Sequence, residues 1–223
     1  MRKYVILACA IVAVGVFALY KLDEMRKWAQ GPLPRTKMKM IALAMHNYAE
    51  AHGSWPTDLL DDNGRVLLSW RVRMCEYLDG QPTIDVTLPW DATENEEAAK
   101  AIPRSFRNDD FIDGMYPYGC RTQILGVFSS DGVWNGEAKG NVLFVDGQPV
   151  QCVWAGPPYA VLWTQPLDLS VDDAKRLLER DEYASNPEDR RIQHVSLQDG
   201  RVTSAPFEWE VRFSSGNGET ESE

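Results

Sequence analysis

One apolar stripe on a predicted helix constrains the fold of this chain more than any other feature. The stripe consists of Met38, Ile41, Met45, Tyr48 and His52. These residues follow one another at alternating steps of three and four, which is the spacing of one face of an α-helix. A helix of this kind must bury its stripe, and a sheet is the expected partner. We expect Gly53 to end the helix and residues 54–56 to turn the chain.

Three helices are predicted beyond this turn. The first covers 66–78, and the second covers 91–102, with Asp91 as its cap. Glutamates in the first turn of the second helix suit the positive end of its dipole, and they are Glu94, Glu96 and Glu97. The third helix covers 168–180 and is capped by Ser170, with an apolar side made of Val171, Ala174, Leu177 and Leu178. The connection before the first short helix turns at Asp61-Asp-Asn-Gly64.

Strands dominate the second half of the sequence. The predicted strands are short and rich in Val, Leu, Phe and Trp, and they cover 122–128, 141–145, 149–154, 159–163, 192–197, 201–205 and 207–213. Asp146-Gly147 and Asp199-Gly200 mark hairpins. In the last strand we expect Phe207, Trp209, Val211 and Phe213 to face inward. The order of elements predicts an antiparallel sheet with helices on one face.

Several ordered motifs resemble one family. They are Ile41-Ala-Leu-Ala-Met-His-Asn-Tyr48, His52-Gly-Ser-Trp-Pro56, Leu68-Ser-Trp-Arg71, Tyr77-Leu78, Pro89-Trp-Asp91, Val161-Leu-Trp-Thr-Gln-Pro-Leu-Asp168, Asn141-Val-Leu-Phe-Val-Asp-Gly147 and Val195-Ser-Leu-Gln-Asp-Gly200. Between Lys37 and Val202 the sequence resembles the prepilin-like proteins of the DUF1559 family. The resemblance implies an α+β fold: an N-terminal transmembrane helix, then a pilin-like domain with a helix packed on an antiparallel sheet. It implies no biochemical activity, because none is assigned to the family.

The family motifs mark a defined set of positions in this sequence. They are His46, Asn47, Tyr48, His52, Gly53, Pro56, Ser69, Trp70, Arg71, Pro89, Trp90, Trp163, Pro166, Asp168, Asp199 and Gly200. The resemblance implies a structural place for these residues and no catalytic, cofactor-binding or metal-binding role. Relatives often carry a His ten residues before the last Asp-Gly, where this chain has Asp189.

The first thirty residues predict a membrane anchor. Tyr4 to Tyr20 is an uncharged apolar run of 17 residues after Arg2-Lys3, at the short end for a spanning helix, with no convincing cleavage site after it. We expect an anchor over 1–30, a linker over 31–36, an α+β domain over 37–213 and a disordered acidic tail over 214–223. The family resemblance implies that the domain is extracytoplasmic, either in the periplasm or at the cell surface.

The anchor departs from the pilin pattern in two ways. Gly15-Val-Phe17 is not followed by the Glu that a pilin leader carries inside the apolar run. That carboxylate is the group expected to pair with a neighbouring subunit in lipid. In addition, Gly31-Pro-Leu-Pro34 interrupts what would be one continuous helix in a pilin. The sequence therefore predicts a tethered domain more than a fibre subunit.

The charge of the chain argues against nucleic-acid binding. Residues 1–30 hold five of the 23 Lys/Arg and two of the 33 Asp/Glu, so the rest of the chain has a balance of −13. Such a domain repels phosphate backbones and favours basic ligands or partners. The expected partners are the membrane and other envelope or pilin-like proteins.

Few residues offer chemistry. His46 and His52 lie six apart on the predicted helix and cannot share one ion as an i, i+4 pair would; a hydrogen bond to the following loop is expected instead. Cys75, Cys120 and Cys152 lack a C-x-x-C spacing, so they form either one disulfide and a spare thiol or three buried thiols. The Asp-Gly pairs that begin at Asp131, Asp146 and Asp199 are expected to form turns and not calcium sites. No motif for a cofactor is present, and none is expected.

Three functional hypotheses remain. The first is a membrane-tethered, non-enzymatic domain of a pilin-like or secretion-associated assembly. The second is an envelope module that binds glycan or peptide through an aromatic surface around Trp134, Trp154 and Trp163. The third is a hydrolase that uses His46 or His194 with an acidic or hydroxyl partner in a pocket.

Overall fold

The computed structural model describes residues 33–79, 82–107, 118–129, 132–137, 140–156, 159–179, 194–204, 208–214 and 220–221. The chain divides between Pro34 and Arg35 into two units, and the described residues from Arg35 onward belong to the second. The predicted anchor at 1–30 lies outside the described residues. Within the described ranges, no helix has the length and apolar character needed to cross a bilayer.

The predicted amphipathic helix is confirmed as α1, Leu33–His52. Its stripe is buried at Met38, Ile41, Met45 and Tyr48, which expose 8% of their surface or less. His52, which the pattern also places on the stripe, is exposed. Gly53 ends the helix as predicted, with a φ of +71° and its N–H donating to the carbonyl of Ala49 at 2.8 Å.

The segment after α1 contains a hairpin that the sequence does not predict. Strand β1, Leu59–Leu60, pairs antiparallel with β2, Val66–Leu68. The predicted turn between them is confirmed, because the Asp61 carboxylate accepts hydrogen bonds from the N–H groups of Asn63 and Arg65. The prediction of a helix over 66–78 is therefore wrong at its start, where β2 lies. A three-residue apolar run suits a paired strand as well as a helix.

Two short helices follow the hairpin. Helix α2, Trp70–Arg73, is capped by Ser69 and continues into a 3-10 turn, Met74–Tyr77. Helix α3, Glu96–Ala99, follows a 3-10 turn, Thr93–Asn95. The predicted helix over 91–102 is thus too long, and Asp91 is not its cap. The Ala92 N–H donates to the carbonyl of Pro89 instead, which keeps Asp91 within a turn.

Two sheets follow. The strands of the larger one are β4 Ile124–Phe128, β5 Gly140–Val145, β6 Gln148–Trp154, β8 Leu169–Ser170, β9 His194–Leu197, β10 Val202–Ser204, β11 Trp209–Ser214 and β12 Thr220–Glu221. Six of them run in the order β10-β9-β6-β5-β11-β12. Strand β4 pairs antiparallel with the end of β6, and β8 pairs parallel with β4. The smaller sheet pairs β3, Arg121–Thr122, with β7, Val161–Leu162. Helix α4, Val171–Glu179, follows β8, and Ser170 accepts a hydrogen bond from the Asp173 N–H as the predicted cap.

Helices cover both faces of this sheet at β6. On one face the Cys152 Sγ lies 3.9 Å from the Sδ of Met45 on α1. On the other face Val150 and Val153 share a buried cluster with Ala174 and other residues of α4. The expectation of helices on one face is therefore wrong. Every residue from Val150 to Val153 is buried, so β6 has two faces that each require a cover.

The C-terminal strand differs from its prediction. Phe213, expected to face inward, exposes 54% of its surface, and Trp209 and Val211 are half-buried; Phe207 lies outside the described residues. Among the described residues, β11 lies between β5 and the two-residue strand β12 at one side of the sheet. Thr220–Glu221 pair with the end of β11, so the assignment of a wholly disordered tail over 214–223 is wrong at these residues.

Candidate functional site

Two motifs that lie far apart in the sequence meet in one buried ion pair. Arg71, from the Leu68-Ser-Trp-Arg71 motif, is 0% exposed, and the Asp168 side chain is 8% exposed. The Nη2 of Arg71 donates to Oδ1 of Asp168. The two residues are 97 positions apart, so the contact joins α2 to the segment that leads into β8.

The guanidinium of Arg71 is held on every side. Ser69 caps α2, and its Oγ accepts a hydrogen bond from Nη1 of Arg71 at 2.7 Å. The Nε of Arg71 donates to the carbonyl of Ile124 at 3.1 Å. The carbonyls of Gln165 and Leu167 accept from Nη1 and Nη2 at 3.3 and 3.4 Å. A buried charge that is satisfied in this way fixes the three segments that supply its partners.

The carboxylate of Asp168 also accepts hydrogen bonds from β4 and from α2. Its Oδ1 accepts from the Gly126 N–H at 2.6 Å, and its Oδ2 accepts from the indole Nε1 of Trp70 at 3.1 Å. Burial raises the pKa of Asp168 to about 6, although Arg71 and the Gly126 N–H act in the opposite direction. The nearby carboxylate of Asp58, which accepts from the Trp70 N–H at 2.7 Å, adds to the increase in this pKa.

A pocket lies beside Asp168. It has a volume of about 430 Å³, within the range of small-molecule sites. Its walls are apolar, and its charged residues are Asp168, Asp173 and Arg176. Asp173 and Arg176 form an exposed ion pair on α4 at 2.6 Å. The pocket therefore combines an aliphatic wall with one buried carboxylate and one exposed ion pair.

The remaining motif residues lie at three other places. Around α1, His52 stacks on Tyr48 with ring centroids 4.2 Å apart and shares a 3.2 Å hydrogen bond with the hydroxyl of Tyr77. The rings of His46 and Trp55 meet edge to face, with their centroids 5.1 Å apart. The expected hydrogen bond to the following loop is thus found for neither histidine: His52 bonds to Tyr77 in a later 3-10 turn, and His46 Nε2 has no hydrogen-bond partner among the described residues.

The last hairpin also contacts His46. Gly200 has a φ of +83°, and a Cβ at this position would lie 3.1 Å from the Nε2 of His46. This close approach explains why glycine suits the last position of the motif Val195–Gly200, where a side chain would meet the His46 ring. The neighbouring Asp199 carboxylate accepts from the Arg201 Nε at 2.6 Å and lies at the surface.

The other motif residues are placed by main-chain contacts. The carbonyl of Pro56 accepts from the Trp134 indole at 2.8 Å, and the Trp163 indole donates to the carbonyl of Ala99 at 2.8 Å. The Trp90 N–H donates to the carbonyl of Leu67. Pro89 and Pro166 are half-buried, and Asn47 is exposed.

The predicted aromatic binding surface is wrong. Trp134 is 2% exposed and Trp163 is 0% exposed, and half-buried Trp154 packs against the same core as both. Trp134 stacks on Phe128 and meets the edge of Trp70. The indole N–H groups of Trp134 and Trp163 find buried carbonyl partners, so these rings fill the interior.

One histidine has a hydroxyl partner. His194 Nδ1 lies 2.8 Å from the Oγ of Ser204 across the β9–β10 hairpin. The His194 residue is 4% exposed and is not part of the pocket beside Asp168. Burial, with the charge of Arg35, lowers the pKa of His194 to about 4.

The cysteines within the described residues are buried, and the described Asp-Gly pairs named above lie in turns. Cys75, Cys120 and Cys152 are buried free thiols, and burial raises the pKa of Cys75 to about 12. Asp146 and Asp199 lie in turns, as predicted, and Asp131 lies outside the described residues. In the part of the chain that the structure covers, no group of His, Cys, Asp or Glu could hold a metal ion.

Sequence reasoning missed Asp58, Gly126 and the pocket. Gly126 carried a usable signal, since an isolated glycine inside a strand pattern indicates close approach of another chain segment. A Cβ there would lie 2.7 Å from the Phe128 ring and 2.9 Å from the Trp134 ring. Asp58 stands in a polar connection and carries no comparable signal.

One comparison with known proteins agrees with the motifs between Ile41 and Asp91. Residues 35–133 match the model of a family described as "Protein of unknown function (DUF1559)", which confirms the resemblance over that segment. The segment contains α1, the β1–β2 hairpin, Arg71 and β4, and it ends before Asp168. No curated protein and no solved structure matches the chain.

Proposed function

We propose that this chain, whose residues 35–133 match DUF1559, is a prepilin-like envelope protein. An N-terminal span would anchor it in the membrane and carry an extracytoplasmic domain that binds or assembles with partners and does not catalyse. The observation that carries the proposal is the buried Arg71–Asp168 network. In this network the charged groups of two family motifs are used to hold the domain together.

The geometry of the network supports binding more than catalysis. A general acid or base must reach a proton of the substrate. Arg71 directs its donors to three main-chain carbonyls, Ser69 and Asp168, and both oxygens of Asp168 accept hydrogen bonds from inside the domain. A rigid base of this kind is what a pocket needs to hold a ligand in one orientation.

The anchor and the charge support the envelope location. The 17-residue apolar run from Tyr4 to Tyr20 lacks a charged residue, and it also lacks the carboxylate that a pilin uses for polymerisation. A tethered domain with other envelope or pilin-like proteins as partners fits this sequence better than a fibre subunit. The acidic balance of the rest of the chain disfavours nucleic acid as a partner.

The anchor is tested by fractionation of cells that express the full chain or a chain lacking residues 1–30. We expect the full chain to stay in the membrane pellet after alkaline carbonate extraction, because a spanning helix is not released by loss of surface electrostatics. We expect the shortened chain to be soluble and to melt in one cooperative transition. Full-length protein in the soluble fraction would contradict the proposal.

A hydrolase is the second candidate because His194 and Ser204 lie within hydrogen-bond distance. A pKa lowered to about 4 leaves the imidazole neutral but makes it a weak base at neutral pH. Burial of the pair inside a hairpin also separates it from the pocket. Loss of a hydrolytic turnover in His194→Gln, with the fold retained, would favour this candidate.

A further inference from the structure

The pocket beside Asp168 has the walls of a site for an aliphatic ligand. Its apolar lining comes from Leu125, Ala160, Val161, Leu167, Leu169 and Leu177, with Tyr159 beside them. Glycan sites present polar groups and exposed aromatic faces, and a lining of mostly aliphatic residues lacks the polar groups needed to satisfy several hydroxyls. The wall therefore favours a ligand with a hydrocarbon body.

The more buried of the two carboxylates in the pocket is Asp168, whose side chain is 8% exposed. Its Oδ2 accepts one hydrogen bond, from the Trp70 indole, among the residues that the structure describes, and a carboxylate oxygen has capacity for another. An ammonium N–H is a donor of the kind that this position accepts.

The rim supplies a second carboxylate that can change partner. Asp173 is 50% exposed and Arg176 is 67% exposed. Hydrogen bonds from Ser170 and Arg176 hold the pKa of Asp173 below its usual value, so Asp173 is ionised at neutral pH. An exposed ion pair contributes little to stability, because solvent screens the two charges. A ligand cation can therefore replace Arg176 beside Asp173 at little cost.

We propose that this pocket binds an aliphatic ammonium group, with its hydrocarbon chain along the Leu125–Val161–Leu177 wall and its charge beside Asp168 and Asp173. Lysine side chains and free diamines both carry this chemistry. The inference names the ligand class of the binding domain proposed above and rests on that proposal. The negative balance of the chain outside residues 1–30 further favours a cationic ligand.

Three probes of equal chain length separate charge from shape. The full-length protein is titrated with cadaverine, 1,5-pentanediol and glutarate, and binding is followed by chemical-shift changes of α4 amides or by calorimetry. We expect cadaverine to bind at least tenfold more tightly than the diol, and glutarate to bind more weakly than both. N-acetyl-lysine N-methylamide is a fourth probe: tighter binding than cadaverine identifies a protein lysine as the source, and weaker binding identifies a free amine.

Matched variants on α4 test the assignment of the site. We expect Asp173→Asn to weaken cadaverine binding about tenfold, because a charge-assisted contact is lost. The control Asp172→Asn changes an exposed neighbour that does not line the pocket, and its affinity should stay within twofold. Arg176→Ala removes the competing guanidinium and should tighten binding about threefold.

Two results would overturn the inference. Tighter binding of glutarate than of cadaverine, lost in Arg176→Ala, would make the pocket an anion site. Equal weakening by Asp172→Asn and Asp173→Asn would show that cadaverine is attracted by the overall charge and not by the pocket. Both results would leave the membrane anchor untouched, because fractionation tests the anchor independently.

Discussion

Replacing Arg71 by Met is expected to lower the free energy of unfolding by about 3–5 kcal/mol, the usual cost of breaking a buried ion pair by removing one partner. The substitution leaves the Asp168 carboxylate 8% exposed without its counter-ion. It also leaves the carbonyls of Ile124, Gln165 and Leu167 without the donors that Arg71 supplies. Denaturant unfolding of the full-length protein measures this difference.

The matched control is Arg201→Met. Arg201 pairs with Asp199 at the surface, with side chains 56% and 35% exposed, and loss of such a pair should cost less than about 1 kcal/mol. The double variant Arg71→Met/Asp168→Leu should recover part of the loss, because no uncompensated charge remains. Equal small effects of Arg71→Met and Arg201→Met would show that the network does not support the fold.

Replacing Trp134 by Ala is expected to cost about 3–5 kcal/mol, the range for truncation of a large buried aromatic side chain. The ring is 2% exposed and lies against Phe128, Trp70 and the close approach at Gly126. Its loss also leaves the Pro56 carbonyl without its donor. Chemical denaturation gives the magnitude, and near-ultraviolet circular dichroism reports on the packing of the remaining rings.

Trp209→Ala is the control for this substitution. Trp209 is half-buried on β11 near the edge of the sheet, so its truncation should cost much less. If Trp134→Ala retained full stability and instead abolished binding of an envelope glycan, the burial of this ring would be contradicted and the aromatic-surface hypothesis would return.

Part of the secondary structure follows from the sequence, and the contacts between elements do not. The stripe from Met38 to Tyr48 predicts α1 because a helix repeats every 3.6 residues and burial follows that period. Asp146-Gly147 predicts its hairpin because both residues have positive φ, at 50° and 74°. The run Val66–Leu68 is ambiguous, since three apolar residues fit a strand and a helix equally well.

The candidate site depends on contacts that no local pattern encodes. Arg71 and Asp168 stand in two recognisable motifs, but their pairing across 97 residues is a product of the tertiary fold. The same holds for β6, whose Val, Cys and Trp residues predict a strand but do not show that α1 and α4 cover its opposite faces. The tryptophans illustrate a related point. The sequence shows where they stand in the chain, but only their burial in the folded domain decides between a place in the core and a place on a binding surface.

The central claim is an extracytoplasmic domain on a membrane anchor, and labelling of intact cells tests it most directly. A Ser215→Cys variant that also carries Cys9→Ser is treated with a membrane-impermeant maleimide. The other native thiols, Cys75, Cys120 and Cys152, are buried and free, so they contribute little background. Glu179→Cys at an exposed position gives a second site. With any outer barrier permeabilised, we predict labelling of both cysteines before the cytoplasmic membrane is opened. Labelling only after that membrane is opened would contradict the account.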